Sequence, residues 1–123
     1  MSDSDVLKAR LEAVLEALQR IPRRFAAIRA PEDFEKTEAG RDNLDSICMV
    51  LVASGEAFKQ IDRKTNGRFL RNYPEIEWEG VMGVRDVIAH GYFDVDPDQV
   101  FDICKNDIPT LIGTVERMIA DLR

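Results

Sequence analysis

Between Leu44 and Ile61 the apolar residues Leu44, Ile47, Cys48, Leu51, Phe58 and Ile61 fall on one side of a helix of 3.6-residue period. The chain must therefore be organised around a long helix, expected from about Thr37 to Lys64. From Ile47 to Ala53 this helix is apolar all round, so it should be central or covered by a second subunit. Ser54-Gly55 would let another backbone approach closely, although an incidental small pair fits as well.

The flanking segments repeat the helical pattern. Leu7, Leu11, Val14, Leu15, Leu18 and Ile21 recur at three and four, behind Ser2, Asp3 or Ser4 as cap. Pro22 ends or kinks that helix, Phe25 to Ile28 continues it, and Pro31 opens a short helix holding Phe34. Asn66-Gly67 signals a turn, and Asn72 to Glu75 a loop. A helix is expected from about Ile76 to His90. Asp96-Pro97 reads as an N-cap with Pro in the first helical position, and Pro109 repeats that grammar for a last helix with Leu111, Ile112, Val115, Met118, Ile119 and Leu122 on its buried face. No alternating strand pattern and no internal repeat occurs. The expected fold is all-α: an antiparallel bundle of four or five helices, one domain over residues 1–123.

Composition excludes several classes. The longest unbroken apolar run, Ile47 to Ala53, is too short to span a bilayer, and the acidic start MSDSDVLKAR is unlike a secretory signal, so no membrane role and a cytoplasmic location are expected. Cys48 and Cys104 are far apart in sequence and read as reduced and buried. A net charge of -6 argues against nonspecific coating of nucleic acid, which needs an excess of Lys and Arg, but permits a small basic site. Arg20, Arg23 and Arg24 form one basic cluster, and Arg63, Lys64, Arg68 and Arg71 another; both read as solvated helix ends. One histidine and two distant cysteines are a poor start for zinc, and Val87, three before His90, removes the Glu-x-x-His of a di-iron bundle. No phosphate-binding G-x-x-x-x-G-K-[ST] loop and no G-x-S-x-G elbow is present. Neither metal nor cofactor is expected.

What remains is RDVIAHGYF, Arg85 to Phe93, with the chain's only histidine. On a helix, Val81, Val84 and Ile88 face the core, while Arg85, Asp86, Ala89 and His90 point away. Arg85 and His90 would stand about 140° apart with little Ala89 between them, a shallow seat between a cation and an imidazole. Asp86, four residues before His90, would orient the imidazole and favour its proton. A guanidinium grips phosphate oxygens in two-pronged fashion, and an imidazole moves protons near neutrality. With no serine or thiol nearby as nucleophile, the set suits a phosphodiester that carries its own, as RNA does in its 2′-hydroxyl. A helix-capping or partner-binding histidine fits the same spacing.

The stretch resembles the HEPN superfamily of all-α domains, marked by Arg, a polar residue directly after it, and His a few residues on: here Arg85, Asp86 and His90. The longer form R-x-x-x-x-H-x-Y, ending at Tyr92, is similar to the HepT branch of toxin-antitoxin ribonucleases, as are Gly55-Glu56-Ala57, Pro74, Trp78, Gly83, Asp96 to Val100, Pro109 and Leu111. The resemblance covers about Leu44 to Leu122. It implies a homodimeric, metal-independent endoribonuclease toxin whose paired motifs form one site at the subunit cleft, acting on tRNA or mRNA. Arg85 would bind phosphate, Asp86 support and His90 transfer protons. It also implies a minimal nucleotidyltransferase antitoxin that attaches AMP to Tyr92. Asp86 stands where Asn is also common in that family, and its carboxylate would slightly repel the substrate. The rival readings are a non-catalytic HEPN subunit assisting a nucleotidyltransferase and a plain helical adaptor.

Overall fold

The computed structural model describes residues 2–89 and 94–122, and these are mostly helical, with no strand among them beyond one isolated bridge. The first helix, α1 (Asp3–Leu18), starts in a capping box: the Ser2 hydroxyl accepts from the Asp5 N–H and the Asp5 carboxylate accepts from the Ser2 N–H. It ends at Leu18 and α2 (Arg20–Phe25) begins beyond Gln19. Pro22 is the cause, because it has no N–H for the Leu18 carbonyl four residues back and its ring crowds that oxygen. A short α3 (Asp33–Lys36) follows, and Phe25, Phe34 and Phe101 tie this elbow to the core, with ring centroids 6.3 Å and 5.2 Å apart.

The long helix, α4 (Glu38–Lys64), is capped by the Thr37 hydroxyl, which accepts from the Gly40 N–H at 2.9 Å. It buries Ile47, Val50, Leu51, Phe58 and Ile61, and touches α1, α2, α3 and the elements that follow. Its central place answers the apolar girdle only in part. Met49 remains 74% exposed, and Ala53 is exposed too. Asn66 and Gly67 both take positive φ, 54° and 74°, and turn the chain back as expected.

The segment expected as one helix from Ile76 to His90 is instead two short ones, α5 (Trp78–Met82) and α6 (Val84–Ile88), parted at Gly83. Trp78 anchors the start, its Nε1 donating to the Tyr73 carbonyl at 2.9 Å and its ring tilted against Phe58. At the other end Ala89 is extended and bridges Val95, and the Asp96 N–H donates to the Ile88 carbonyl at 2.7 Å.

Pro109 stands in the first turn of the last helix, as expected, but that helix follows the one before it without a break. A single rod runs through α7 (Pro97–Asp102), a π-helical turn (Ile103–Asp107) and α8 (Ile108–Asp121), with helical dihedrals at each joint. Inside a helix Pro109 lacks an N–H and presses on the carbonyl four residues back; the wider π turn, in which the Ile108 N–H reaches the Ile103 carbonyl, relieves that crowding. Asp96 caps the rod, accepting from the N–H groups of Asp98 and Gln99. Leu111, Val115 and Met118 are buried, and α8 packs along α1. Four rods result: α1 with α2, α4, α5 with α6, and α7 with α8.

Candidate functional site

Gly55 sets where the motif helix stands. A Cβ there would lie 2.6 Å from the Val81 carbonyl oxygen and 3.3 Å from Val84 Cγ1, so only glycine allows α5 and α6 to lie this close on α4. Of the two readings of Ser54-Gly55, close backbone approach is the one realised. Val84 and Ile88 are buried against α4, as expected of the core face. Arg85 and Asp86 are exposed, and among the described residues the Arg85 guanidinium has no hydrogen-bond or ion-pair partner. A permanent cation is thereby held in solvent on a short, firmly seated helix, free to take an anion.

His90 and Tyr92 lie outside the described residues. The helix that bears Asp86 stops at Ile88, with Ala89 extended, and so falls short of the His90 end expected for it; the expected contact between Asp86 and His90 lies outside the described residues. The Ala89–Val95 bridge holds side by side the two chain ends that flank residues 90–93, directly beyond the helix that bears Arg85.

The other chemistry-bearing groups are quiet. Both cysteines are free; Cys104 is buried, whereas Cys48 is only half-buried, short of the full burial expected. Burial pushes their thiols up to about 12 and about 11, respectively, so neither is a thiolate near neutral pH. Among the described residues no three His, Cys, Asp or Glu side chains group as a metal would require. Of the basic clusters, Arg20 pairs with Glu16, Arg23 is exposed, and Arg24 is partly buried with its Nη1 lacking a partner. Arg63, Lys64, Arg68 and Arg71 are exposed around the end of α4, where cations suit the helix dipole. No helix among the described residues is long and apolar enough to cross a membrane.

One feature was not visible in the sequence. A cleft of about 430 Å³ opens between α5–α6 and the α7–α8 rod, with Ser54 of α4 on its floor. A smaller dent of about 260 Å³, between α1 and α4, borders Ser54 from the other side. The stripe that forms one wall runs from α7 through the π turn into α8, and no single helical period in the sequence spans that change of pitch.

The family described as Ribonuclease HepT-like matches residues 14–118. A relative in Thermococcus cleftensis, named "Probable ribonuclease HepT", is 33% identical over 111 residues, covering 88% of this chain and 91% of that protein. A "Putative RNase" of Methanocaldococcus jannaschii is 32% identical over 72 residues, covering 58% of this chain and 56% of the relative, so little more than half of that protein is spanned. Another from the same organism is 27% identical over 116 residues, covering 94% and 98%. No solved structure matches. With the family match extending over nearly the whole helical domain that seats Arg85, this chain belongs to the HepT-like ribonuclease family.

Proposed function

We propose that this protein is a metal-independent RNA endonuclease, the toxin of a toxin-antitoxin pair, working as a homodimer with Arg85 and His90 of both subunits around one shared linkage. The observation that carries the reading is the exposed Arg85 guanidinium, without a partner among the described residues, on a helix that ends just before the only histidine. Arg85 grips the phosphate. One imidazole takes the proton of the 2′-hydroxyl, whose oxygen attacks phosphorus; the bond to the 5′-oxygen breaks, and a second, protonated imidazole gives that oxygen its proton. The products are a 2′,3′-cyclic phosphate and a 5′-hydroxyl. Asp86, on the same short helix, supports the protonated state of the site electrostatically.

Two imidazoles require two subunits. The exposed apolar patch of α4 around Met49, on the girdle that asked for a cover, supports such an assembly. Control by a minimal nucleotidyltransferase follows the same physics: AMP placed on Tyr92 brings a phosphate's charge and a nucleotide's bulk into a cleft meant for RNA phosphates.

The test is incubation of the purified protein with total tRNA and with mRNA in chelator. Cleavage to cyclic-phosphate ends is expected, reduced by about 100-fold or more in His90→Ala and in Arg85→Ala. Equal patterns for wild type and His90→Ala would sink the catalytic reading and favour an accessory subunit serving a nucleotidyltransferase.

A further inference from the structure

The cleft between α5–α6 and the α7–α8 rod has the form of a groove for a helix. One wall is a stripe of the rod, Gln99, Ile103, Asn106 and Thr110, spaced by four, three and four residues. That stripe is on the order of 16 Å long at 1.5 Å per residue. The facing wall presents Val81, Val84 and Val87, and Val87 is 40% exposed. On the floor the Ser54 hydroxyl, 4% exposed, has no hydrogen-bond partner among the described residues. A buried hydroxyl left alone is unfavourable, and an apolar occupant bringing one polar atom would satisfy it.

Charge decides what kind of occupant fits. Among the described residues the groove is lined by three carboxylates, Glu75, Glu77 and Asp107, and by no Lys or Arg. Arg117 neutralises Glu75, whereas Glu77, which caps Gly80, and the exposed Asp107 keep their charge at the rim. A second copy of this chain is a poor match. Among the described residues its other exposed large apolar side chains, Val6 and Met49, are flanked by Asp3 and Asp5 and by Asp45, so carboxylates would meet carboxylates. We infer that this groove docks an amphipathic helix of a different protein, with apolar anchors at i, i+4 and i+7 and Lys or Arg beside them. The inference is independent of the ribonuclease reading, since it uses neither Arg85 nor His90.

The test uses the full chain and three fluorescein-labelled helical peptides: Leu anchors with flanking Lys, the same anchors with flanking Glu, and the Lys peptide with its anchors changed to Ser. Anisotropy should show saturable binding of the Leu/Lys peptide at least tenfold tighter than either other. D107R/T110R, two exposed rim positions, should weaken it tenfold or more, while A53R, in the α1–α4 dent, should leave it unchanged. Methyl spectra of the wild type should show Val81, Val84, Val87, Ile103 and Leu111 shifting with peptide, a readout that survives if the rim variant fails to fold. Equal binding of the Lys and Glu peptides, loss only in A53R, or no shifts at these methyls overturns the proposal. So does either alternative occupant: the same methyls moving with protein concentration alone, a second copy, or saturating with dodecylammonium but not with peptide, a small amphiphile.

Discussion

At the scale of single residues, Asp86 and Tyr73 show opposite uses of a carboxylate. Asp86 is exposed next to Arg85 on α6, where its negative charge lowers the local attraction for a phosphodiester. Asp86→Asn should therefore raise kcat/KM for RNA cleavage about two- to fivefold at low salt, with the gain shrinking as salt screens the charge; unchanged or lower rates would mean that Asp86 chiefly supports the imidazole. At Tyr73 the hydroxyl of a buried ring donates to Asp121 Oδ2 at 2.8 Å and joins the start of the α5 region to the end of α8, with Arg117 over the ring. Burial, then the Asp121 carboxylate, pushes this hydroxyl up to about 12. The folded state thus holds the proton more tightly than the unfolded chain, whose tyrosines titrate near about 10. The contribution is complete below about 10 and is lost as pH rises toward about 12. Tyr73→Phe should cost about 1 kcal/mol in urea melts at pH 7. Above pH 10 the gap to wild type should close.

Among elements, the contact of α4 with α5–α6 is the one with least room. Gly55→Ala would set a methyl 2.6 Å from the Val81 carbonyl, a backbone atom that cannot swing aside. A destabilisation of about 1–3 kcal/mol is expected, read as a lower urea midpoint with unchanged slope. Because Val84 and Arg85 ride on the same short helix, cleavage should fall further than the loss of folded protein explains. The elements also show where sequence pattern sufficed. The stripes of α1, α4 and α8, the caps at Ser2 and Asp96 and the turn at Asn66-Gly67 are local, encoded within a few residues, and stand where expected. The break at Gly83, the stop at Ile88 and the π turn before Pro109 are not local. The stop at Ile88 depends on Val95 returning to pair with Ala89, and no window of sequence around α6 contains that partner.

For the whole molecule, the proposed site is complete only when two subunits meet. Met49→Glu places a charge on the exposed patch of α4 and should convert the dimer to monomer in light scattering while leaving the helical spectrum intact. RNA cleavage should fall with the dimer. A wild-type protein that is strictly monomeric at assay concentrations would remove the shared site altogether.

The amino-acid sequence determined the helical class, the places of the main helices and the faces they bury, because helical period, caps and turns act over distances of a few residues. Tertiary structure alone decided that the outward-facing Arg85 meets no partner among the described residues, that α6 ends before the histidine, and that a groove whose floor holds a buried hydroxyl without a partner among the described residues opens beside it. Each of these follows from contacts between residues far apart in the chain. Burial, close approach and pairing are properties of the packed rods, which no local pattern specifies.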